Sequence, residues 1–243
     1  MSEGGANGGP AAHVRVNKLS VIVPVFNERN TVAEIVRRMR SVELPVEREI
    51  VIVDDGSDDG TRDVLTQLRD STVRVVAHGA NRGKGAAIRT GLENVSGDVV
   101  LVQDADLEYD PEDWPKLLAP VLKGRARVVY GSRFTGERRN MLFMHWVGNR
   151  FLSLVTNVLY NSTLSDMETC YKLFERDVLD GMQLHAERFD FEPEFTAKVL
   201  RRGIRIYEVP VSYAGRELNE GKKITWRDGV TALWTLVKYR FVK

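Results

Sequence analysis

Four times within its first 135 residues the chain passes from a short apolar run to a helical pattern and back, and few folds accommodate that alternation. Residues 19–25 (LSVIVPV), 50–53, 73–77, 99–103 and 127–130 read as strands. The first is apolar and β-branched nearly throughout, as a strand buried on both faces must be. One helix is expected from Thr31, capped by Asn30, with Val32, Ile35, Val36 and Met39 on one face. Others are expected through Val64 and Leu68, over 86–92, and over 111–122. Short connections between such elements predict an α/β fold: a Rossmann-like, mostly parallel sheet with helices on both faces. Ligands of these sheets bind beyond the carboxyl ends of the strands. Polar clusters stand at those ends: FNE after the first strand, DDGSDDG after the second, DAD after the fourth and GSR after the fifth.

The remainder is less regular. Residues 144–160, 192–202 and 226–241 read as helices and 205–209 as a strand. No Pro/Gly-rich linker divides the chain. The expected organisation is a disordered Gly/Ala tail over 1–17 and a single domain over 18–243, with 18–135 as the ligand-binding core and 136–243 as an amphipathic extension. A net charge of +1 gives no face for a polyanion, so no nucleic-acid partner is expected. Cys170 is the single cysteine, which excludes a disulfide framework and a Cys-rich zinc site. No apolar run approaches the roughly 18 residues of a membrane span. The opening MSEGGANGGPAAH has neither the charged nor the apolar region of a signal peptide, so a cytoplasmic location is expected.

Asp104-Ala105-Asp106 follows a buried run. Two carboxylates one residue apart on a turn can face one site, and a hard divalent cation, Mg or Mn, takes such oxygens while leaving positions for phosphate. Glu108 is a further ligand or a supporting group. The same letters also suit a solvated turn with Asp110 as a helix cap. Asp55, in DDGSDDGT, stands where a doubly wound sheet holds a nucleotide and can accept from a base or ribose, while Asp59 or Thr61 caps the next helix. HGANRGKGAAIRTG opens a helix, offering backbone N–H groups and Lys84 to phosphate. It is not a P-loop, and no GxGxxG follows the first strand. Arg133, in YGSRF, carries a fork suited to a diphosphate or an acceptor phosphate, and Arg138, Arg139 and Arg150 add charge. Lys222 and Lys223 fall in a loop able to close over a diphosphate. His13, His78, His145 and His185 show no metal-ligand spacing and are assigned no chemistry. Cys170 is expected to pack near the site as a small hydrophobe.

Taken in order, VIVPVFNE, IVIVDDGSDDGT, NRGKGAAIRTG, DVVLVQDADLEYDP and VVYGSRF make the chain resemble family 2 glycosyltransferases of the GT-A fold, from about residue 19 to 239. NRGKGAAI, DADLEYDP and GSRF narrow the likeness to the polyprenyl-phosphate (dolichol-phosphate) mannose and glucose synthases. The resemblance implies that Pro24, Phe26 and Glu28 contact the nucleoside and Asp55 the base or ribose. It places Asp104 and Ala105 by the nucleotide, and the metal with Asp104, Asp106 and Glu108. Arg133 and Arg150 would serve phosphates, Lys84 and Lys172 the nucleotide sugar and Lys222 the closing loop, with Asp106 and Arg133 central to catalysis. Three departures stand out: the family has Gln at the position of Glu108, Tyr at that of Phe26, and TSGFR where residues 168–172 read ETCYK. Lys172 keeps the charge of the replaced arginine but not its fork. The sugar is left open among mannose, glucose and an amino sugar.

The implied reaction inverts the anomeric carbon by direct displacement of the nucleoside diphosphate from a UDP- or GDP-sugar. Polyprenyl phosphate as acceptor is already anionic and needs positioning more than a base. A soluble or polysaccharide hydroxyl is the alternative acceptor, with Asp166, Glu192 and Glu194 as candidate bases. A nucleotidyltransferase lacks support, since no Gly-rich signature follows the first strand. A non-catalytic module fits poorly with intact acidic motifs and Arg133. A lipid acceptor requires membrane contact. Residues 142–160 mix Trp, Phe and Leu with His145 and Arg150, and the last helix adds Trp226, Trp234 and Tyr239 with Lys238, Arg240 and Lys243. That composition suits interfacial helices and equally helices packed on a sheet. The expected setting is the cytoplasmic face of a membrane, against its surface or a membrane partner protein.

Overall fold

A computed structural model of the chain describes residues 15–215 and 226–242. Among these residues seven strands form one sheet: β1 (Lys18–Val25), β2 (Glu47–Asp54), β3 (Val73–Ala77), β4 (Val99–Val102), β5 (Val128–Ser132), β6 (Lys172–Glu175) and β7 (Ile206–Pro210). Their order is β3-β2-β1-β4-β6-β5-β7. Seven α-helices accompany them: α1 (Val32–Ser41), α2 (Thr61–Leu68), α3 (Lys84–Leu92), α4 (Trp114–Leu122), α5 (Phe143–Tyr160), α6 (Phe191–Arg201) and α7 (Trp226–Phe241).

The central strand, β1, is as apolar as its letters require: Leu19, Val21, Ile22 and Val23 are fully buried. The four residues of the α1 face are buried as expected. Its cap is not. Thr31, rather than Asn30, precedes the helix, and Thr31 Oγ1 donates to Glu28 Oε2 at 2.7 Å instead of capping. At α2, Gly60 with φ +93° stands before the first helical residue, Thr61. Asp59 Oδ1 accepts from Thr61 N at 2.9 Å, so it serves the helix start from one position further out. Asp110 does cap the 3-10 turn at Pro111–Asp113, accepting from Glu112 N at 3.1 Å. Helix α3 lies against β1 more closely than a side chain permits, since a Cβ on Gly91 would meet Ile22 Cγ2 at 2.4 Å.

Parallel pairing levels the strand ends: Val25 stands opposite Asp54, and Asp54 opposite Ala77. From β1 the chain winds outward to β2 and β3 and then returns to β4 on the other side of β1. The gap beyond β1 and β4 is therefore the switch point at which doubly wound sheets bind ligands. The sheet is not wholly parallel. Strand β6 runs antiparallel between β4 and β5, with Val100 opposite Phe174 and Val129 opposite Leu173. Four buried residues that begin with Lys172 and end with Glu175 give no alternation, so the sequence pattern leaves β6 unassigned.

Helices α5 and α7 pack on each other through Leu152, Ala232 and Leu236, with Met167 between, and Tyr160 Oη donates to Leu236 O at 2.6 Å. Among the described residues no helix is long and apolar enough to cross a membrane.

Candidate active site

A cavity of about 1180 Å³ occupies the switch point. Pro24, Phe26, Glu28, Asp55, Lys84, Asp104, Ala105, Asp106, Glu108 and Arg133 all line it, so the carboxyl ends of four strands meet where their letters predict. Arg150 and Lys172 are not among the lining residues, and Lys222 and Lys223 lie outside the described residues.

The DAD turn is fixed from below. Gln103 is fully buried; its Oε1 accepts from Trp114 Nε1 at 3.0 Å and Tyr171 Oη at 2.7 Å, and its Nε2 donates to Asp104 O at 3.0 Å. Leu107, at φ +63°, occupies a conformation that costs a bulky residue about 1–3 kcal/mol and turns the chain between Asp106 and Glu108. Asp106 Oδ1 accepts from Glu108 N at 3.1 Å. Glu108 Oε2 accepts from Tyr213 Oη at 2.7 Å, and Ala214 N donates to Glu108 O at 2.9 Å. Tyr213 had no signal in the sequence, since it follows β7, far along the chain.

Lys84 bridges two carboxylates: its Nζ is 2.8 Å from Asp104 Oδ1 and 3.0 Å from Glu192 Oε1. Burial opposes its charge, but the neighbouring carboxylate of Asp104 in particular outweighs burial and holds its pKa well above the ordinary lysine value. Glu192 is thus the one candidate base that lines the cavity. Asp166 is spent on Arg133, and Glu194 accepts from His185 N and Ala186 N elsewhere.

The Gly-rich loop departs from expectation. Arg82 N and Gly83 N donate to the two oxygens of Asp55, at 2.9 and 2.7 Å. Gly85 N and Ala86 N donate to Arg188 O and Glu187 O, both at 3.0 Å. A Cβ on Gly83, at φ +95°, would meet Glu187 O at 2.3 Å. These donors of the α3 start are therefore already satisfied by the chain, and what the loop brings to phosphate is the Lys84 side chain. Asp55 is similarly occupied: His78 Nδ1 lies 2.7 Å from its Oδ1, and His78 Nε2 lies 2.9 Å from Thr90 Oγ1. His78, assigned no chemistry from its spacing, braces the loop through Asp55.

Arg133 lies in the wall, its fork on Asp166: Nε donates to Oδ2 at 2.7 Å and Nη2 to Oδ1 at 2.8 Å. Nη2 also donates to Asn149 Oδ1 at 3.0 Å. Asp166 is held in turn by Glu208 of β7, which accepts from Ser165 N and Asp166 N. Burial opposes the Arg133 charge and Asp166 more than restores it. Arg150 instead points its guanidinium at Ser165 O and the Phe134 ring. Lys172 is fully buried, donates to Met167 O at 2.7 Å and lies 3.7 Å from the centre of the Tyr130 ring. Burial pushes its pKa down. Cys170 is buried in the lining, and burial pushes its thiol pKa well up, so it behaves as the small hydrophobe its position suggests. Glu168, also in the lining, escaped attention because ETCYK drew notice only for its lysine.

The donor chemistry fits a hard divalent cation: Asp104, Asp106 and Glu108 present oxygen ligands from one turn to one cavity. Among the described residues no three His, Cys, Asp or Glu groups converge to hold an ion unaided. A cation here would complete its shell from a diphosphate, as Mg-type ions do.

A family model described as "Glycosyl transferase family 2" matches residues 20–182. The undecaprenyl-phosphate 4-deoxy-4-formamido-L-arabinose transferase of Salmonella choleraesuis (strain SC-B67) is 30% identical over 212 residues, covering 85% of this chain and 63% of that protein. The chain thus spans under two thirds of that relative's length. Among solved structures, glucosyl-3-phosphoglycerate synthase from Mycobacterium tuberculosis with Mn2+, UDP and glucosyl-3-phosphoglycerate aligns with a TM-score of 0.73 and 20% identity, over 93% of this chain and 81% of that one. The same synthase with Mn2+, UDP-glucose and phosphoglyceric acid gives 0.71 and 21%, over 93% and 81%. These likenesses establish the GT-A fold.

Proposed function

Because the chain belongs to glycosyl transferase family 2, we propose that it moves a sugar from a UDP- or GDP-sugar to polyprenyl phosphate, with inversion at the anomeric carbon. The observation that carries the acceptor is the mixed lining of the cavity. Beside the carboxylates, Lys84 and Arg133 it includes Leu142, Met144, Leu152 and Trp226, from α5, the residue before it and α7, together with the polar His145, Asn149 and Asp228. The same two helices expose large apolar side chains: Met144 is 73% exposed, Trp226 75% and Trp234 65%, with Phe143, Phe151 and Val158 also exposed. A charged site opening onto an apolar face suits a substrate with a phosphate head and a hydrocarbon tail, presented at a membrane surface. The Salmonella choleraesuis relative, an undecaprenyl-phosphate 4-deoxy-4-formamido-L-arabinose transferase, supports the same class.

Pro24, Phe26 and Glu28 border the nucleoside, and Asp55 shapes its pocket by holding residues 82–83. Lys84 steadies Asp104 and Glu192 and lends positive charge beside the diphosphate. Arg133, fixed by Asp166 and Asn149, presents a set orientation toward the acceptor phosphate. Asp104, Asp106 and Glu108 are the residues that would offer carboxylate oxygens to Mg or Mn, with the diphosphate completing the shell, and the cation would supply charge neutralisation for the leaving group. Arg150 and Lys172 have no part in this arrangement.

The test is nucleotide release from a panel of UDP- and GDP-sugars, with Mn or Mg, with and without polyprenyl phosphate in detergent. Release that needs the lipid phosphate and falls about a thousandfold in Asp106→Ala is the expected result. Metal-dependent release indifferent to the lipid would replace the acceptor with a hydroxyl compound.

A further inference from the structure

Among the described residues, Oε1 of Glu168 is the only buried side-chain oxygen or nitrogen without a hydrogen-bond partner. Leaving such a group unpaired costs about 1–3 kcal/mol, so Glu168 brings to the cavity lining a carboxyl whose hydrogen-bonding capacity the chain itself does not use up. Looseness does not explain it, because the segment on either side is tied down. Met167 N donates to Ser153 Oγ at 3.1 Å, Thr169 Oγ1 to Gly131 O at 2.6 Å and Cys170 N to Tyr109 Oη at 3.1 Å. Glu168 is thus held in the lining by a rigid support.

The charged groups around it are committed elsewhere. Lys172 of β6 donates to Met167 O, Arg133 beyond β5 is bound to Asp166, and Glu192 of α6 faces Lys84. Burial, and next the charge of Glu192, push the Glu168 pKa up to about 8. Burial thus favours its protonated form, which can donate one hydrogen bond while accepting others. Glu192, paired with Lys84, can only accept. One donor and one acceptor side by side complement neighbouring hydroxyls of a sugar. They would be a poor seat for an acceptor phosphate, which needs cations.

We propose that Glu168 hydrogen-bonds a hydroxyl of the sugar being transferred and sets, with Glu192, which sugar the donor site admits. The inference rests on the transferase reading above.

Two variants separate its possible roles. Glu168→Gln preserves shape, a donor and an acceptor; Glu168→Leu removes both polar functions. Calorimetric titration with Mn at pH 7 compares UDP and GDP with UDP-glucose and GDP-mannose, alongside kcat/KM for the donor panel. UDP and GDP affinity should stay within about twofold in both variants, which also shows that the site is folded. In Glu168→Leu, affinity and kcat/KM for the preferred nucleotide sugar should fall roughly 10- to 100-fold, with a changed order of preference among sugars, and Glu168→Gln should remain within about fivefold of the unaltered protein. A Gln variant as impaired as the Leu variant would show that an ionised carboxylate is required and overturn the proposal. So would a Leu variant that binds nucleotide sugars normally and loses only acceptor affinity. An unaltered protein that binds UDP and GDP but discriminates no sugar would defeat the sugar contact alone. One that binds no nucleotide or nucleotide sugar would defeat the transferase reading itself.

Discussion

Near the amino ends of the parallel strands, Glu49 accepts from Ser20 Oγ and Ser96 N, both at 2.5 Å, and lies 3.0 Å from Lys18 Nζ. Asp98 accepts from two backbone N–H groups there, Asn17 and Lys18, and Arg127 pairs with Glu175 and Asp177. At the opposite rim Glu168 has an oxygen that nothing meets, and Asp104 shares one lysine with Glu192. The same residue type titrates in opposite directions at the two ends. Burial would raise the Glu49 pKa, but its hydrogen bonds outweigh burial and hold it at about 2, while burial pushes Glu168 up to about 8. One end satisfies its carboxylates within the chain and so contributes to stability. The other leaves capacity for a ligand and costs some stability in doing so.

The largest effect that could break this division is Lys84→Met. Turnover should drop about a hundredfold or more, because the cavity loses its bridging cation and Asp104 and Glu192 are left to repel each other, which also lowers the melting temperature. Turnover per folded molecule within about tenfold of the unaltered protein would show that Lys84 belongs to the structural end alone. Glu49→Gln comes next. It should lower stability by about 1 kcal/mol, or roughly 2–4 °C in a chain of this size, with turnover per folded molecule unchanged. The smallest effect is the dependence of stability on pH. The Glu49 contribution is present above about 4.5 and is lost as pH falls toward 2; because the side chain is partly exposed, solvent screening keeps it small. Glu168 acts with the opposite sign: its folded form holds the proton more tightly, so stability declines as pH rises from about 4.5 through 8. Denaturant titrations between pH 6 and 9 should show that decline in the unaltered protein and a flatter profile in Glu168→Gln.

Much of the ligand end was legible because its logic is local. A β-branched run followed by polar letters places Phe26, Asp55, Asp104 and Arg133 at strand ends, and parallel register brings those ends level. What escaped depends on partners distant in sequence. The start of α3 looks open until residues 187–188 cover it, and Glu108 looks unsupported until Tyr213 reaches it. Arg150 stands outside the cavity lining for a geometric reason. Adjacent helical positions point about 100° apart, so Asn149 faces Arg133 while Arg150 turns toward Phe134. Lys172 stands outside the lining because a motif's charge need not face the cavity: as the first residue of β6 it is buried on a carbonyl and a ring.

Among the described residues, strand β5, which leads into Arg133, has β6 and β7 as its sheet neighbours, and both are synthesised after it. A nascent chain emerging from the ribosome through Arg133 already possesses every carboxylate of the DAD turn, yet has no sheet edge on which to set the arginine beside them. The late arrival of β6 makes assembly of the two halves a long-range step in folding. On the proposed reading, an unfinished chain lacks the positioned arginine that transfer needs, and competence arrives only when the later strands have closed the sheet.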